Sequence, residues 1–389
     1  MRFSTLAVHA GQRPDPCTGA VCVPVSLTST FAMDGIGKLR GDFEYARSDN
    51  PSRHALETSI AAIEYGKHAL AFASGQAAST AVLDLLEPDD EIVATPNIYG
   101  GTYRLFHNVY NKYNIKINVA KNSTPDEIKK ALTPNTAIVW GESPSNPLLE
   151  LFDIAETAEH VHKFHNKKNN KPILVIDNTF PSPALQNPLL LGADIVTHSC
   201  TKYIGGHSDV IAGAVVVNDD TIYERLKFYQ NAAGAVPEPF SCFLLQRGIR
   251  TLPLRMKKHE ENAYKIAEFL RNNAAVEQVF FPGFTDFPNY ELVKKQMRGL
   301  PGMVSFKIHG NIENVKKLFA GLKLIILAES LGGPETLICH PATMTHAALP
   351  ESERKKIGIT DNLIRLSAGV EDAEDLIDDL KEALQNIKK

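Results

Sequence analysis

Short apolar segments alternate with longer amphipathic segments over residues 51–220, and this alternation predicts a sheet covered by helices. Near-continuous apolar runs rich in β-branched residues lie, for example, at 173–177 and 214–217. Such runs are typical of strands that are buried on both faces. Most of the segments between them have helical periodicity, and strand–helix alternation favours an open, mostly parallel sheet with right-handed crossovers. We therefore predict an α/β fold for this part of the chain.

Three regions of different pattern predict the domain organisation. Residues 1–50 are rich in Ser, Thr and Pro and show little periodicity, so we expect an arm that packs on another part of the protein. A helix should begin after Asn50, a favoured N-cap residue, with Pro51 at the first helical position. We predict a large domain over 51–240, which ends in the Pro-containing break AVPEPF, and a smaller C-terminal α+β domain over 241–389, with strands near 303–308 and 324–328.

Composition and charge exclude several classes of protein. The 389 residues carry a formal net charge of −4, from 41 Lys and Arg against 45 Asp and Glu. With no basic run, the chain lacks the electrostatic footprint of non-specific nucleic-acid binding. We find no apolar stretch long enough for a membrane span or a signal peptide. The five cysteines are scattered and contain no C-x-x-C pair, so we expect a reduced, soluble, cytoplasmic protein and assign no metal site.

Two candidate ligand-binding features follow the first predicted strands of the sheet. Ser74, Gly75 and Gln76 come directly after the strand at 69–73 and open a helix. Small residues at a helix start offer free N–H groups to an anion such as phosphate, although an ordinary helix cap has the same sequence. Tyr99 follows the strand at 91–95 and can offer an aromatic face. Ligands of open α/β sheets bind at the carboxyl ends of the strands, where these residues should lie.

Two charged residues follow neighbouring strands further along the chain. Asp177 ends the strand at 173–177, where a buried carboxylate is costly unless a cation pairs with it. A protonated ring nitrogen of a cofactor is one such partner, and a helix-capping role is the alternative. Lys202 follows the next strand, and a desolvated Lys is the residue of imine chemistry. An aromatic face, a phosphate cradle, a carboxylate and this Lys together predict pyridoxal phosphate (PLP) as the cofactor.

Nine segments of the chain resemble the Cys/Met-metabolism family of PLP-dependent enzymes, and the similarity runs nearly end to end. They are EYARSDNPSRHALE, FASGQAA, YGGTYR, ESPSNPLLE, VIDNTF, HSCTKYIGGHSDV, LAESLGGPETL, HPATMTHA and LIRLSAGVEDAEDL. Within the family, the chain is most similar to cystathionine γ-lyases and cystathionine γ-synthases. The resemblance implies the PLP-dependent transferase fold, which is aspartate aminotransferase-like (fold type I). It also implies a homotetramer, a dimer of dimers with active sites shared across a dimer interface.

The resemblance implies a role for each matching residue. Lys202 would bond to the cofactor aldehyde and act in catalysis with Tyr99, which would also stack on the cofactor ring. Asp177 would hold the pyridine nitrogen. The cofactor phosphate would be bound by Gly75, Gln76, Ser199 and Thr201, and by Tyr45 and Arg47 of the neighbouring subunit. The α-carboxylate of an amino-acid substrate would be bound by Arg365, with help from Asn146 and Ser330.

Position 329 bears on the reaction. An acidic residue there, as Glu329 is, goes with γ-specific members of the family, in which it can meet the distal ammonium of cystathionine. Glu329 does not separate lyases from synthases, but the segments AVPEPFSCFLLQRG and LAESLGG are more similar to those of lyases. That resemblance implies γ-elimination of cystathionine in transsulfuration, which yields cysteine, 2-oxobutanoate and ammonia. Three alternatives remain: γ-replacement by a cystathionine γ-synthase, a methionine γ-lyase, or an inactive binding protein on the same scaffold. Gly101 counts against a methionine γ-lyase, because those enzymes typically carry Cys at this position.

Overall fold

The computed structural model describes residues 1–347, 349–385 and 387. Short 3-10 or π-helical turns cover residues 105–113 and 188–191. The strands are β1 Met33–Gly35, β2 Lys38–Leu39, β3 His68–Phe72, β4 Glu91–Ala94, β5 Lys116–Val119, β6 Thr136–Glu142, β7 Ile173–Asp177, β8 Ile195–Ser199, β9 Gly213–Val217, β10 Val276–Phe280, β11 Met303–Ile308, β12 Ile326–Leu327, β13 Leu337–Cys339 and β14 Leu363–Ser367. The helices are α1 Phe3–His9, α2 Pro51–Ile63, α3 Gly75–Leu83, α4 Gly100–Arg104, α5 Pro125–Ala131, α6 Ile154–Lys163, α7 Ser182–Leu185, α8 Asp220–Ala233, α9 Pro239–Arg271, α10 Tyr290–Gln296, α11 Ile312–Gly321, α12 Glu351–Lys356 and α13 Ala373–Leu384.

The described residues form a large seven-stranded sheet in the order β3-β9-β8-β7-β6-β4-β5. The strands from β5 through β4, β6 and β7 to β8 pair in parallel, whereas β9 is antiparallel to both of its neighbours. The predicted mostly parallel α/β sheet is therefore confirmed. Strand β9 reverses because residues 200–212, which join it to β8, contain no crossover helix and return the chain along the neighbouring strand.

Apolar side chains cover both faces of the large sheet. Within β7, Val175 packs on one face with Phe106 and Trp140. Leu174 and Ile176 pack on the opposite face, in a cluster that also contains residues of α6. This alternation with a period of two explains why the strand reads as a continuous apolar run, since each face has its own helical cover.

The N-terminal arm has more regular structure than its sequence predicts. Helix α1 packs against α2 and α9, and β1 and β2 form a short hairpin. The predicted start of α2 is confirmed, because the Asn50 side chain accepts a hydrogen bond from the Ser52 N–H at 2.9 Å and Pro51 is the first helical residue. The arm therefore joins the body of the chain through a capped helix.

The C-terminal part contains a five-stranded sheet in the order β10-β11-β14-β13-β12, as far as the described residues show. The predicted strand near 303–308 is confirmed, whereas the one near 324–328 is shortened to Ile326–Leu327. The predicted boundary between 240 and 241 falls in the first turn of α9. Residues of α9 up to Met256 pack with the large domain, and those from Ala263 onward pack with the smaller sheet. Because α9 belongs to both cores, the domain limits stay a prediction.

All five cysteines are free thiols, of which Cys17 and Cys22 are exposed and the other three are buried. None of the helices in the described ranges combines the length and the apolar character that crossing a membrane requires.

Candidate active site

A cavity of about 870 Å³ lies between the carboxyl ends of the parallel strands and the C-terminal part of the chain. Residues from both parts form its wall. The predicted site residues that line it are Gly75, Gln76, Tyr99, Asn146, Asp177, Ser199, Thr201, Lys202, Glu329, Ser330 and Arg365. Two predicted residues, Tyr45 and Arg47, are not among the residues of the wall. The structure therefore brings eleven of the thirteen predicted residues together within one chain.

Lys202 reaches into the cavity from the segment that follows β8. Its Nζ donates a hydrogen bond to Ser330 Oγ at 2.7 Å. Burial, followed by the positive charge of Arg365, lowers the Lys202 pKa from 10.5 to about 8. The preceding turn is tied to β9, because Thr201 Oγ1 donates to the Ala212 carbonyl oxygen at 3.2 Å and accepts from its N–H at 3.1 Å. Lys202 is thus an anchored amine with a larger neutral fraction near neutral pH than an ordinary lysine has, and the neutral form is the one that nucleophilic attack requires.

Asp177 is the last residue of β7 and lies next to Thr197 of β8 in the sheet. Its Oδ1 accepts a hydrogen bond from the Thr179 N–H at 3.0 Å, and Thr179 Oγ1 accepts from the Ser199 N–H at 2.9 Å. None of the described cationic side chains forms an ion pair with this carboxylate. Burial raises the Asp177 pKa. A carboxylate in such surroundings is stabilised by an added cation, as a protonated pyridine ring would be.

The loop before α3 forms a cradle that fits a phosphate. The Ser74 side chain caps the helix by accepting a hydrogen bond from the Ala77 N–H at 3.0 Å. The N–H groups of Gly75 and Gln76 lie in the first turn of a nine-residue helix and lack helical acceptors. A Cβ atom on Gly75 would lie 2.9 Å from the Ser199 Cβ, so only glycine allows this loop to approach the end of β8 so closely.

Arg365, in β14, is buried with a relative exposure of 3%. One terminal nitrogen, Nη1, donates to Asn146 Oδ1 at 3.0 Å, and Nη2 donates to the Ser330 carbonyl oxygen at 3.0 Å. Its Nε is buried without a hydrogen-bond partner among the described residues. A guanidinium that is fixed in this way in the wall of the cavity suits the binding of a carboxylate.

Tyr99 contacts Glu142, a residue that the sequence pattern alone does not single out. The Tyr99 N–H donates to Glu142 Oε2 at 2.9 Å, and Glu142 is the last residue of β6. Glu142 pairs with Asp177 across β6 and β7, so two carboxyl groups lie side by side at the cavity. Burial and the charge of Asp177 raise the Glu142 pKa well above its usual range. The available signal was an acidic residue shortly after the apolar run at 137–140, comparable to the one that identified Asp177.

Glu329 lies at the more exposed side of the same cavity. Its negative charge opposes the lowering of the Lys202 pKa by burial and Arg365, and it adds to the raising of the Tyr99 pKa by burial, so it acts on the reactive part of the cavity. At the base of Tyr99, Gly101 allows close packing, because a Cβ there would collide with the Tyr99 ring and the Gln76 side chain. Glycine at position 101 therefore leaves the space that the Tyr99 ring occupies.

Tyr45 and Arg47 lie on the surface of the arm, away from the cavity of their own chain. Tyr45 is 43% exposed, and the Arg47 guanidinium carbon lies 5.4 Å from the Tyr45 ring centroid. Arg47 Nε donates to Asn231 Oδ1 at 3.5 Å. A single chain thus leaves both side chains available to another molecule, and their predicted role toward a neighbouring subunit stays a prediction.

The described residues fit PLP. Lys202 supplies an amine for its aldehyde, Asp177 a carboxylate without an ion pair, and the 74–76 loop a phosphate cradle closed by Ser199. These three features point into a single cavity with room for the cofactor and an amino acid. The geometry therefore agrees with the cofactor that the sequence predicts.

Comparison with known proteins identifies the family. The model of the Cys/Met metabolism PLP-dependent enzyme family matches residues 4–385. Cystathionine γ-lyase of Dictyostelium discoideum is 48% identical, with 98% of this chain and 97% of the relative covered. Cystathionine γ-synthase of Mycobacterium tuberculosis is also 48% identical, with 98% and 96% covered.

Two solved structures share the fold over the whole chain. The crystal structure of metB from Corynebacterium glutamicum has a TM-score of 0.95 at 43% identity, and it covers 100% of this chain and 99% of its own. The structure of cystathionine γ-lyase from Lactobacillus plantarum in complex with L-serine has a TM-score of 0.94 at 41% identity, with the same coverage. The expected PLP-dependent transferase fold is thereby confirmed. With its full-length match and its cavity built for the cofactor, the chain belongs to the Cys/Met metabolism family of PLP-dependent enzymes.

Proposed function

We propose that this PLP-dependent enzyme is a carbon–sulfur lyase that cleaves cystathionine by γ-elimination. Cystathionine and water give cysteine, 2-oxobutanoate and ammonia. The observation that carries the proposal is the position of Glu329 in one cavity with Lys202 and Arg365. Cystathionine has a carboxylate and an amine at each end, so a site for it needs a cationic anchor, a reactive amine and a distal anion.

The substrate is held at both ends. Arg365 binds the α-carboxylate of the reacting end, because it lines the cavity and its terminal nitrogens are fixed by Asn146 and the Ser330 carbonyl oxygen. Glu329 binds the distal ammonium, because its carboxylate lies at the more exposed side of the cavity. This arrangement orients Cα of the reacting half toward Lys202.

The cofactor would be held by Asp177 at its pyridine nitrogen, by Lys202 at its aldehyde and by the Tyr99 ring. Its phosphate would be held by Gly75, Gln76, Ser199 and Thr201 of the same chain, all of which line the cavity. When bound, PLP supplies an electron sink for the bonds at the substrate Cα. Asp177 would place its carboxylate at the ring nitrogen, and Tyr99 would stack on the ring.

Lys202 moves the protons of the reaction. With a pKa of about 8, its Nζ takes the Cα proton when it is neutral. Ser330 Oγ, at 2.7 Å, keeps Nζ at the cavity wall while it transfers protons between the α and β carbons of the substrate. Tyr99, whose ring borders the same space, assists in these transfers. The sulfur of the departing cysteine then leaves from the γ carbon.

A cystathionine γ-synthase is the second candidate, because curated synthases and lyases are equally similar to this chain, at 48% identity. The two reactions need the same residues and differ in what enters the cavity after the γ-substituent leaves. Water gives the lyase products, and cysteine gives cystathionine from an activated homoserine ester.

One pair of assays separates these functions. The purified enzyme is supplied either with cystathionine, and 2-oxobutanoate is measured, or with cysteine and an O-acylated homoserine, and cystathionine is measured. The proposal predicts the larger kcat/KM in the first assay. A larger kcat/KM in the second assay assigns the synthase, and a protein that binds PLP but is inactive in both contradicts an enzymatic role on these substrates. The Lys202→Ala variant is the control in each case.

We also propose that the enzyme is a homotetramer, built as a dimer of dimers, in which Tyr45 and Arg47 reach the cofactor phosphate of the neighbouring subunit. Support comes from their exposure on the arm and their absence from the cavity wall of their own chain. Light scattering of the purified protein measures the oligomeric state, and a monomer with full activity would contradict it. The cytoplasmic location and the domain limits at 50/51 and 240/241 stay predictions.

A further inference from the structure

Arg53 is a buried arginine whose contacts lie outside the cavity. It lies in the first turn of α2 and is only 1% exposed. Its Nη1 donates to the Ala46 carbonyl oxygen at 2.7 Å, and its Nη2 donates to the Arg47 carbonyl oxygen at 3.2 Å. The planar guanidinium of Arg53 therefore donates hydrogen bonds to two successive backbone carbonyls. These carbonyls belong to the segment that presents Tyr45 and Arg47.

The charge of Arg53 is balanced by two carboxylates at longer range. Its Nη2 lies 3.6 Å from Asp49 Oδ1, and its Nε lies 3.6 Å from Glu57 Oε1. Glu57 Oε1 is already occupied, because it accepts hydrogen bonds from the Ala71 N–H at 2.8 Å and from Gln230 Nε2 at 2.9 Å. The short contacts of Arg53 are thus those to the backbone of residues 46 and 47, and not those to its ionic partners.

The segment 45–49 is also attached to α8 and to the rest of the arm. Ser48 Oγ donates to Asn231 Oδ1 at 3.0 Å, and Arg47 Nε reaches the same oxygen at 3.5 Å. Residue 45 is connected to the arm by an isolated bridge to Thr30. Tyr45 and Arg47 are exposed, and the other residues of the segment 45–49 are half-buried. Asp49 also contacts His54 of α2 at 3.3 Å, but among the described residues Arg53 alone donates side-chain hydrogen bonds from this helix to backbone carbonyls of the segment.

We propose that Arg53 is a positioning residue that acts between subunits: it fixes the backbone of residues 46 and 47 so that Tyr45 and Arg47 meet the cofactor phosphate of the neighbouring site. The inference rests on the proposed role of Tyr45 and Arg47. A buried arginine that serves only the stability of its own domain would change nothing in a neighbouring site. Among the described residues, the Arg53 guanidinium makes no other hydrogen bond, and a lysine at this position would present a point charge in place of the planar fork.

Hybrid oligomers test the direction of this effect. Subunits with Lys202 are co-expressed with a large excess of Lys202→Ala subunits. Most sites that contain Lys202 then adjoin a Lys202→Ala subunit, which cannot bond to the cofactor. In the first arrangement the Arg53→Lys change is placed on the Lys202→Ala subunit, and in the second it is placed on the subunit with Lys202. The affinity for PLP is measured by titration, borohydride reduction and fluorescence of the trapped adduct. Arg53→Met is tested in the same two arrangements.

The proposal predicts that affinity falls on the order of tenfold more in the first arrangement than in the second, because charge-assisted hydrogen bonds of about 1.5–3 kcal/mol are lost at the adjoining site. Equal losses in both arrangements would mean general destabilisation and overturn the proposal. A larger loss in the second arrangement would assign Arg53 to its own site, through Glu57 and β3, and would also overturn it. If the affinity for PLP falls in neither arrangement, the proposal is likewise overturned.

A separate control distinguishes failure of this inference from failure of the proposed function. If Arg47→Ala placed on the Lys202→Ala subunit leaves the adjoining site unaffected, the proposed role of Arg47 itself is wrong. If that change weakens the adjoining site and Arg53→Lys does not, only the positioning role of Arg53 is wrong.

Discussion

Glu142 and Asp177 are cross-strand neighbours at the carboxyl ends of β6 and β7, and both border the cavity. Glu142 is 6% exposed, and its Oε2 accepts the Tyr99 N–H at 2.9 Å. Two like charges at adjacent buried positions repel each other, so one carboxyl group keeps its proton. Burial and the charge of Asp177 raise the Glu142 pKa well above its ordinary value of 4.5, which makes Glu142 the neutral member.

Glutamine should therefore replace Glu142 with little effect, since its amide carbonyl accepts the same N–H and carries no charge. Glu142→Ala removes the acceptor and should cost about 1–3 kcal/mol of unfolding free energy, because a buried donor is left unsatisfied. It should also weaken PLP binding through displacement of Tyr99. Denaturant unfolding and cofactor titration measure both effects. If Glu142→Gln is as damaging as Glu142→Ala, Glu142 is ionised in the folded protein.

The same raised pKa predicts the pH dependence of stability. A group with a folded pKa above its unfolded value stabilises the folded protein at low pH, and this contribution is lost as pH rises through the folded pKa. From pH 4.5 upward, the wild-type apoprotein should lose stability relative to Glu142→Gln, which has no proton to release. Urea unfolding of both proteins at a series of pH values checks the difference. A constant difference across this range contradicts the assignment.

The fold was largely predictable from the sequence where strands are buried on both faces. The strand at 173–177 is predicted to its last residue, because each of its apolar side chains packs against a helical cover. The strand near 324–328 is predicted too long. Its residues Ile326 and Leu327 are exposed at the sheet edge, so pairing with β13 determines its length and its own apolar pattern does not.

The sequence by itself reveals those site residues that follow a predicted strand and whose side chains are not explained by packing. Lys202 and Asp177 stand out there, and the strand alternation places them on neighbouring strands. Glu142 has the same kind of position, but its pairing with Asp177 depends on sheet register, which periodicity does not give. Arg365 and Glu329 belong to the C-terminal part of the chain. No local sequence pattern predicts that this part lies against the large sheet, so both residues were predicted from the family resemblance.

Lys202 should be the only attachment point of the cofactor, and its reaction should follow its pKa. Lys202→Ala should abolish both the visible absorbance of the holoenzyme and its turnover. In the wild-type apoprotein, the rate of condensation with PLP should rise with pH and reach half its maximum near pH 8, since the neutral amine is the nucleophile. Stopped-flow absorbance measures this rate. A midpoint near 10.5, the ordinary value, would contradict the effect of burial and Arg365.

Glu329→Ala should raise KM for cystathionine far more than KM for an O-acylated homoserine, which lacks the distal ammonium. A charge-assisted contact of about 1.5–3 kcal/mol corresponds to a KM change of roughly tenfold or more. Glu329→Gln, which keeps the shape and loses the charge, is the matched control and should behave like the alanine variant. Steady-state kinetics with both substrates tests this. Equal increases for the two substrates would remove the proposed contact with the ammonium.

Gly75→Ala should lower the affinity for PLP without unfolding the protein. The added Cβ would lie 2.9 Å from the Ser199 Cβ and 3.1 Å from its Cα, so the 74–76 loop must move away from the end of β8. Overpacking of this kind costs about 1–3 kcal/mol, and because the cradle itself is displaced, we expect affinity to fall on the order of tenfold. Gly41→Ala, for which no atom lies within 4 Å of the new Cβ, is the matched control. Cofactor titration of the apoproteins compares the two, with circular dichroism as a check on folding. Unchanged affinity in a folded Gly75→Ala protein would mean that the phosphate does not bind between this loop and Ser199.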